Sequence, residues 1–216
     1  MKNEPLLLID KPKGITSFDV IRILRKELGV RKMGHAGTLD PLATGLLIIG
    51  VGPGTGQLAG LIGLPKAYKA EITLGQATDS GDAAGKVVEE KPVPADLDAK
   101  KVQKVIQDMK GEHTLPVSIF SAIKRGGKPL YKYAREGKDV ERPMRKMVVN
   151  KAELLSFSGN KISALFDVSS GTYVRSLAEE VGKRLGTCAH ITELRRLSVG
   201  PFKVEYAHKL VVPPKA

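Results

Sequence analysis

Gly34-His35-Ala36-Gly37-Thr38-Leu39-Asp40-Pro41-Leu42-Ala43-Thr44-Gly45-Leu46-Leu47 is dense in small residues and holds one carboxylate, Asp40, directly before a proline. Glycines on both sides let the backbone come close to a neighbour, and Pro41 stiffens the loop and restricts Asp40. The apolar residues from Leu46 to Val51 then read as a buried strand. The stretch is a constrained loop feeding a core strand, and its one acid has two readings. Asp40 either caps a tight turn or is a catalytic carboxylate, and local physics leaves both open.

Working outward, Leu6 to Ile9 is a short strand closed by the turn Lys11-Pro12-Lys13-Gly14. Ser17 is the expected N-cap of a helix whose inner face is Val20, Ile23, Leu24 and Leu28, with Gly29 as its stop. Tyr68, Ala70, Ile72 and Leu74 alternate with Lys69, Glu71 and Thr73, the period of a half-buried strand. Asp98 predicts a second helix carrying Val102, Val105, Ile106 and Met109 inward and stopping at Gly111. Leu154 to Phe157 and Ile162 to Val168 flank Ser158-Gly159-Asn160 as a hairpin, and Val174, Leu177, Ala178, Val181 and Leu185 mark a third helix ended by Gly186. Strands and helices intersperse without regular βαβ spacing. The expected class is therefore α+β, on a mixed, largely antiparallel sheet with flanking helices. The 216 residues are read as one domain, with 76–112 as a possible inserted subregion.

Apolar runs such as Leu46 to Ile49 fall far short of the ~20 residues a bilayer needs, and no leader pattern precedes them. Cys188 is the only cysteine, which excludes an intramolecular disulfide and any multi-thiolate zinc site. A reducing cytoplasm fits. His35, His113, His190 and His208 are scattered and give no metal constellation. Gly50, Gly52, Gly54 and Gly56 invite a dinucleotide-binding reading, but no Walker lysine-serine pair or distal acid completes it. Charge is more informative: 35 Lys and Arg against 23 Asp and Glu give +12. Ten bases against three acids place +7 of it in the 28 residues from Lys124 to Lys151, whereas Asp79 to Glu112 is net −2. A polyanion, nucleic acid before an acidic protein or a membrane surface, is the expected partner. With no Trp, five Phe and five Tyr, a single-strand stacking platform is not expected.

The ordered set of motifs resembles the TruB-type pseudouridine synthases. It comprises Lys11-Pro12-Lys13-Gly14 with Thr16-Ser17, the GHAGTLDPLATGLL block, and Tyr68 in the strand after it. Thr78-Asp79-Ser80-Gly81-Asp82, Lys128-Pro129-Leu130-Tyr131 with Ala134-Arg135, Gly171-Thr172-Tyr173-Val174-Arg175 and Leu194-Arg195-Arg196-Leu197 complete it. The match runs from Leu6 to about Phe202. It implies a cofactor-free, metal-free isomerase that flips a tRNA T-loop uridine, at position 55, out of its stack and exchanges its N1–C1′ bond for a C5–C1′ bond. Asp40 would be the catalytic carboxylate, acting through an acylal or a glycal. Arg175 would be its partner cation, and Tyr68 would stack on the flipped base. Tyr173 and Leu194 would line the base pocket, His35 would enter the T-loop, and Lys128, Lys132 and Arg135 would follow RNA phosphates. Asp82 would serve loop structure or a secondary RNA contact. Gly56 and Phe120 depart from the lysine and tyrosine common in the family, and a C-terminal PUA domain is not expected. The rival readings are a synthase with another or a guided RNA target, and an RNA-folding chaperone. Oligomeric state is not legible.

Overall fold

The computed structural model describes residues 4–212. They form two compact units, one running to Lys69 and resuming at Leu194, the other spanning Ala70–Glu193.

The first unit opens with β1 (Leu6–Lys11), whose alternation buries Leu7, Ile9 and the aliphatic stem and amine of Lys11. A turn leads to α1 (Ser17–Leu28). The expected cap, Ser17, lies one residue inside. Thr16 is the N-cap, because Asp19 stands three residues on and closes a reciprocal capping box with it, which leaves Ser17 free to turn inward. Gly29 ends the helix in the left-handed region at φ 68°, as its position predicts. After β2 (Met33–His35) and the Asp40 loop, β3 (Thr44–Val51) is buried along nearly its whole length. It pairs antiparallel with β1, Leu8 opposite Ile48 and Lys11 opposite Gly45. α2 (Leu58–Ile62) follows, and β4 (Lys66–Leu74) leads out of the unit with Tyr68, Ala70, Ile72 and Leu74 inward.

In the second unit, β5 (Gln76–Thr78) and β6 (Val87–Glu90) form a small ribbon. Asp98 caps α3 (Ala99–Gln107) as expected, accepting from the Lys101 N–H at 2.8 Å. The helix stops earlier than its apolar pattern suggests. Met109 is buried beyond the last turn, and Gly111, at φ 118°, opens β7 (Gly111–Pro116). β8 (Lys124–Arg125) and β9 (Lys128–Pro129) make a tight hairpin before α4 (Leu130–Arg135). The long β10 (Met144–Ser158) and β11 (Lys161–Val168) form the expected hairpin, and β10 also pairs antiparallel with β7. α5 (Val174–Arg184) buries Val174, Leu177, Ala178 and Val181. β12 (Ala189–Val199) then carries the chain back to the first unit. Strand order in the second unit is β12-β4-β11-β10-β7.

Within the first unit the last residues of β12 pair parallel with β3, Arg196 opposite Gly45. β13 (Phe202–Lys203) folds back on β12, and β14 (His208–Lys209) adds parallel to β1. The class is α+β with a mixed, mainly antiparallel sheet. Ala36, Leu46, Ile48 and Val199 are the centre of this unit's core, covered by Leu6, Leu8, Leu58, Leu61 and Leu64. Gly45 must be glycine: its φ is 100°, and an added Cβ would lie 2.2 Å from the Arg196 carbonyl oxygen. That close approach carries the Asp40 loop directly onto β12.

Candidate active site

Between Ala36 and Ala43, both buried, the loop packs by little more than Leu39, and its peptide groups are held from outside. Ser17, 2% exposed, receives the Leu39 N–H at 2.8 Å and donates its hydroxyl to the Leu39 carbonyl at 3.1 Å. Pro41 is held on the other side of Asp40, its carbonyl accepting from the Gly14 N–H at 2.8 Å and from Lys11 Nζ at 3.5 Å. The Arg196 guanidinium donates to the Gly37 carbonyl at 3.1 Å and to the Leu46 carbonyl at 2.7 Å, tying the loop's entrance to the strand that follows it. The Ala43 N–H closes a turn on the Asp40 carbonyl at 3.0 Å. Asp40, half-buried, is thus fixed at its own peptide and at both neighbours.

The surroundings of this carboxylate are cationic. Lys11 and Arg196 are 0% and 1% exposed, an uncommon fate for such groups unless their donors are satisfied. Lys11 Nζ donates to the carbonyls of Pro12 at 2.9 Å and Ile15 at 2.7 Å. Burial pulls its pKa down to about 8, with Asp40 pulling the other way and Arg196 adding to the fall. Lys66, bonded to the Ile62 and Leu64 carbonyls, is lowered to about 8 by burial and then by Arg196. His35, at the end of β2, is also pushed down, first by burial and then by Arg196, so its neutral form is favoured. Its Nδ1 is buried without a hydrogen-bond partner. Tyr68 on β4 is 8% exposed and Leu194 on β12 is 9% exposed. His35, Asp40, Tyr68 and Leu194 all belong to this first unit.

Arg175 and Tyr173 belong to the second. Tyr173, half-buried, is the N-cap residue directly before α5. Arg175, 5% exposed, donates to the Ser80 carbonyl at 2.9 Å and the Phe120 carbonyl at 3.1 Å, and lies 3.9 Å from the Asp82 carboxylate. Asp82 in turn accepts from Ser80 Oγ at 2.8 Å and from the Ala84 N–H at 3.0 Å. The Asp82 segment therefore builds a rigid seat for the Arg175 guanidinium. Gly81 permits it, its backbone lying in the left-handed region at φ 75°.

Of the three bases expected along RNA, Lys128 is ion-paired with Glu136 at 2.5 Å and lies over the Tyr133 ring at 4.6 Å. Arg135 lies over Tyr131 at 5.5 Å, and Lys132 is exposed. The roles of Lys66, Arg196 and Ser17 were not visible in the sequence. The signal available for Arg196 was its strand register, two residues from Leu194 and so on the same face of β12.

The family model for the TruB family pseudouridylate synthase N-terminal domain matches residues 25–174, and that for the tRNA pseudouridylate synthase B C-terminal domain matches 175–211. The chain is 43% identical over 202 residues to tRNA pseudouridine synthase B of Aromatoleum aromaticum, covering 94% of this chain and 65% of that protein. It is also 43% identical over 206 residues to tRNA pseudouridine synthase B of Geobacillus kaustophilus, covering 93% of this chain and 72% of that one. Among solved structures, a chain of a Cbf5-Nop10-Gar1 complex superposes with a TM-score of 0.74 at 30% identity, covering 95% of this chain and 52% of that chain. On the match to the N-terminal domain model and on these relatives, the chain belongs to the TruB family of pseudouridylate synthases.

Proposed function

We propose that this chain isomerises the T-loop uridine of tRNA, at position 55, to pseudouridine in the cytoplasm. The observation that carries the reading is the clamp on Asp40: hydrogen bonds from Ser17, Gly14, Lys11 and Arg196 hold Gly37, Leu39 and Pro41 around one carboxylate in a cationic setting. In the reaction the N1–C1′ bond of uridine breaks, the free uracil turns, and a C5–C1′ bond forms. The C5 proton is released and N1 gains one, so atoms and charge balance with no external reactant. Asp40 acts on the ribose, either by adding to C1′ or by removing a ribose proton, and Arg175 is the cation that favours its ionised form. Tyr68 supports the flipped uracil, with Tyr173 and Leu194 beside it. His35, kept neutral by burial and by Arg196, enters the loop that the base has left. Lys128, Lys132 and Arg135 contribute to the phosphate contacts. The whole chain works as one catalytic domain on this reading.

The test is release of tritium from tRNA labelled at uridine C5, with single-site mapping of the product. An isomerase must break that C–H bond, whereas an RNA chaperone need not. Release from a T-stem-loop hairpin freed of the rest of the tRNA supports T-loop specificity, since recognition of an unpaired loop needs only the loop and its closing stem. Product at other uridines and none at the T-loop overturns the substrate and keeps the chemistry.

A further inference from the structure

The residues from Lys11 to Lys32 carry seven bases against Asp19 and Glu27. Lys11 is buried and Arg22 is ion-paired with Asp19. Arg25 reaches the Met33 carbonyl at 3.4 Å. Lys13, Lys26, Arg31 and Lys32 are exposed, and among the described residues they make no ion pair. The Lys124–Lys151 stretch differs: six of its ten bases are ion-paired, Arg125 to Glu141, Lys128 and Lys138 to Glu136, Arg142 to Glu179, Lys146 to Glu112 and Lys151 to Glu153. Cations already held by carboxylates contribute less on meeting a phosphate, since the internal pair must first be broken. By that measure the two segments are level, Lys13, Lys26, Arg31 and Lys32 here against Lys124, Lys132, Arg135 and Arg145 there, and the smaller formal charge around α1 is realised as fully as the larger one.

An aromatic ring sits in the same place. Phe18, in the first turn of α1, is 53% exposed, which is costly for so large an apolar side chain. The Arg22 and Arg25 guanidinium carbons lie 5.8 Å and 5.7 Å from its ring centroid. A half-exposed ring with two guanidiniums close by offers one unpaired base a stacking partner, with cations at hand for the adjacent phosphates. Its neighbour Ser17 is bonded to Leu39, next to Asp40, so this surface adjoins the catalytic loop through a single residue. It is one stacking position, not a platform, and agrees with the low aromatic content.

We infer that α1 and its flanks form a substrate-RNA contact surface, with Phe18 stacking on an unpaired base and Lys26, Arg31 and Lys32 contacting the backbone. This rests on the reading of the chain as a tRNA-modifying enzyme. The experiment measures tRNA affinity by filter binding across a salt series for wild type, Phe18→Ala, Phe18→Tyr and the triple variant Lys26→Ala, Arg31→Ala, Lys32→Ala. All four positions are exposed, and thermal melts verify the fold. The triple variant should flatten the log–log salt slope by about two to three, at ~0.7–0.9 for each phosphate no longer neutralised. Phe18→Ala should weaken binding by about tenfold while Phe18→Tyr retains it. Unchanged affinity and slope in both the triple variant and Phe18→Ala overturn the inference, as does a Phe18→Tyr loss equal to that of Phe18→Ala. Wild-type protein that binds tRNA through this surface yet releases no tritium would instead sink the isomerase reading and leave the surface standing.

Discussion

Removing the Ser17 hydroxyl is the sharpest test of how the Asp40 loop is held. Its oxygen both accepts from and donates to the peptide of Leu39, at 2.8 Å and 3.1 Å, in a setting only 2% exposed. Ser17→Ala deletes one atom, opens almost no cavity, and leaves a buried N–H and C=O without their partner. A net hydrogen bond is worth ~0.5–1.5 kcal/mol and an orphaned buried donor costs ~1–3 kcal/mol, so a stability loss of about 2–3 kcal/mol is expected. The functional consequence is separate. With Leu39 released, Asp40 is held by the Pro41 contacts and its own turn alone, and a displacement of about 1 Å in a reacting group costs on the order of a hundredfold in rate. The kcat should fall ten- to a hundredfold, with tRNA affinity within about twofold, since Ser17 presents nothing to RNA.

Thr16→Ala is the matched control. It removes the N-cap of the same helix and with it ~0.5–2 kcal/mol, but the Thr16 hydroxyl bonds within the capping box to Asp19, away from the peptides of the loop. Urea denaturation gives both stabilities, and single-turnover tritium release at saturating tRNA gives the rates. If Ser17→Ala retains kcat within twofold of wild type, or if Thr16→Ala loses as much, the loop clamp has no catalytic meaning and the Ser17 bonds serve stability alone.

Asp40→Asn keeps the loop's shape and removes the carboxylate, so turnover should vanish while tRNA affinity stays within about tenfold, ~1.4 kcal/mol; turnover in a pure preparation refutes the assignment. Neutralising Lys128, Lys132 and Arg135 together should flatten the salt slope, by nearer two phosphates than three because Lys128 is engaged by Glu136. An unchanged slope removes this stretch from the binding face. Lys11 and Lys66 have folded pKa values near 8, below the ordinary 10.5. Between those limits the unfolded chain holds protons the folded chain has shed, so these groups make stability rise with pH from about 8 to 10.5, their cost being complete below 8. Urea midpoints at pH 7.5 and 10 should show wild type gaining on Lys66→Met as pH rises, and a constant gap contradicts the burial argument.

What the sequence discloses here is what local chemistry decides. Capping at Asp98, the stop at Gly29, the Ser158–Asn160 hairpin and the alternation of β4 each depend on residues within a few positions, and each is found. The Ser17 reading erred by one residue because the pattern Thr16-x-x-Asp19 competes with it, and the loser took up a long-range role 22 residues away. The buried cations were beyond reach for a different reason. Hydropathy places Lys11, Lys66 and Arg196 on the surface; Lys11 and Lys66 are admitted to the interior by main-chain carbonyls within four residues, Ile15 and Ile62 among them, which hydropathy does not register, and Arg196 by the distant carbonyls of Leu46 and Gly37.

The same nonlocality bears on charge as a guide to function. The +7 of Lys124–Lys151 points to an RNA face, yet Glu112 and Glu179, both outside that stretch, each claim one of its bases. The run around α1 has a lower formal charge, +5 from seven bases and two acids, but among the described residues only one of those bases is ion-paired. Counterion release depends on cations that a phosphate can engage without first breaking an internal pair. The net charge of a segment is therefore an upper bound on what it offers a polyanion, and the fold decides how much of that bound is realised. On that ground α1 matches the stretch with the larger sum, four exposed bases outside any ion pair in each, and the exposed Phe18 ring and the serine that joins it to the Asp40 loop add to its physical claim on the RNA.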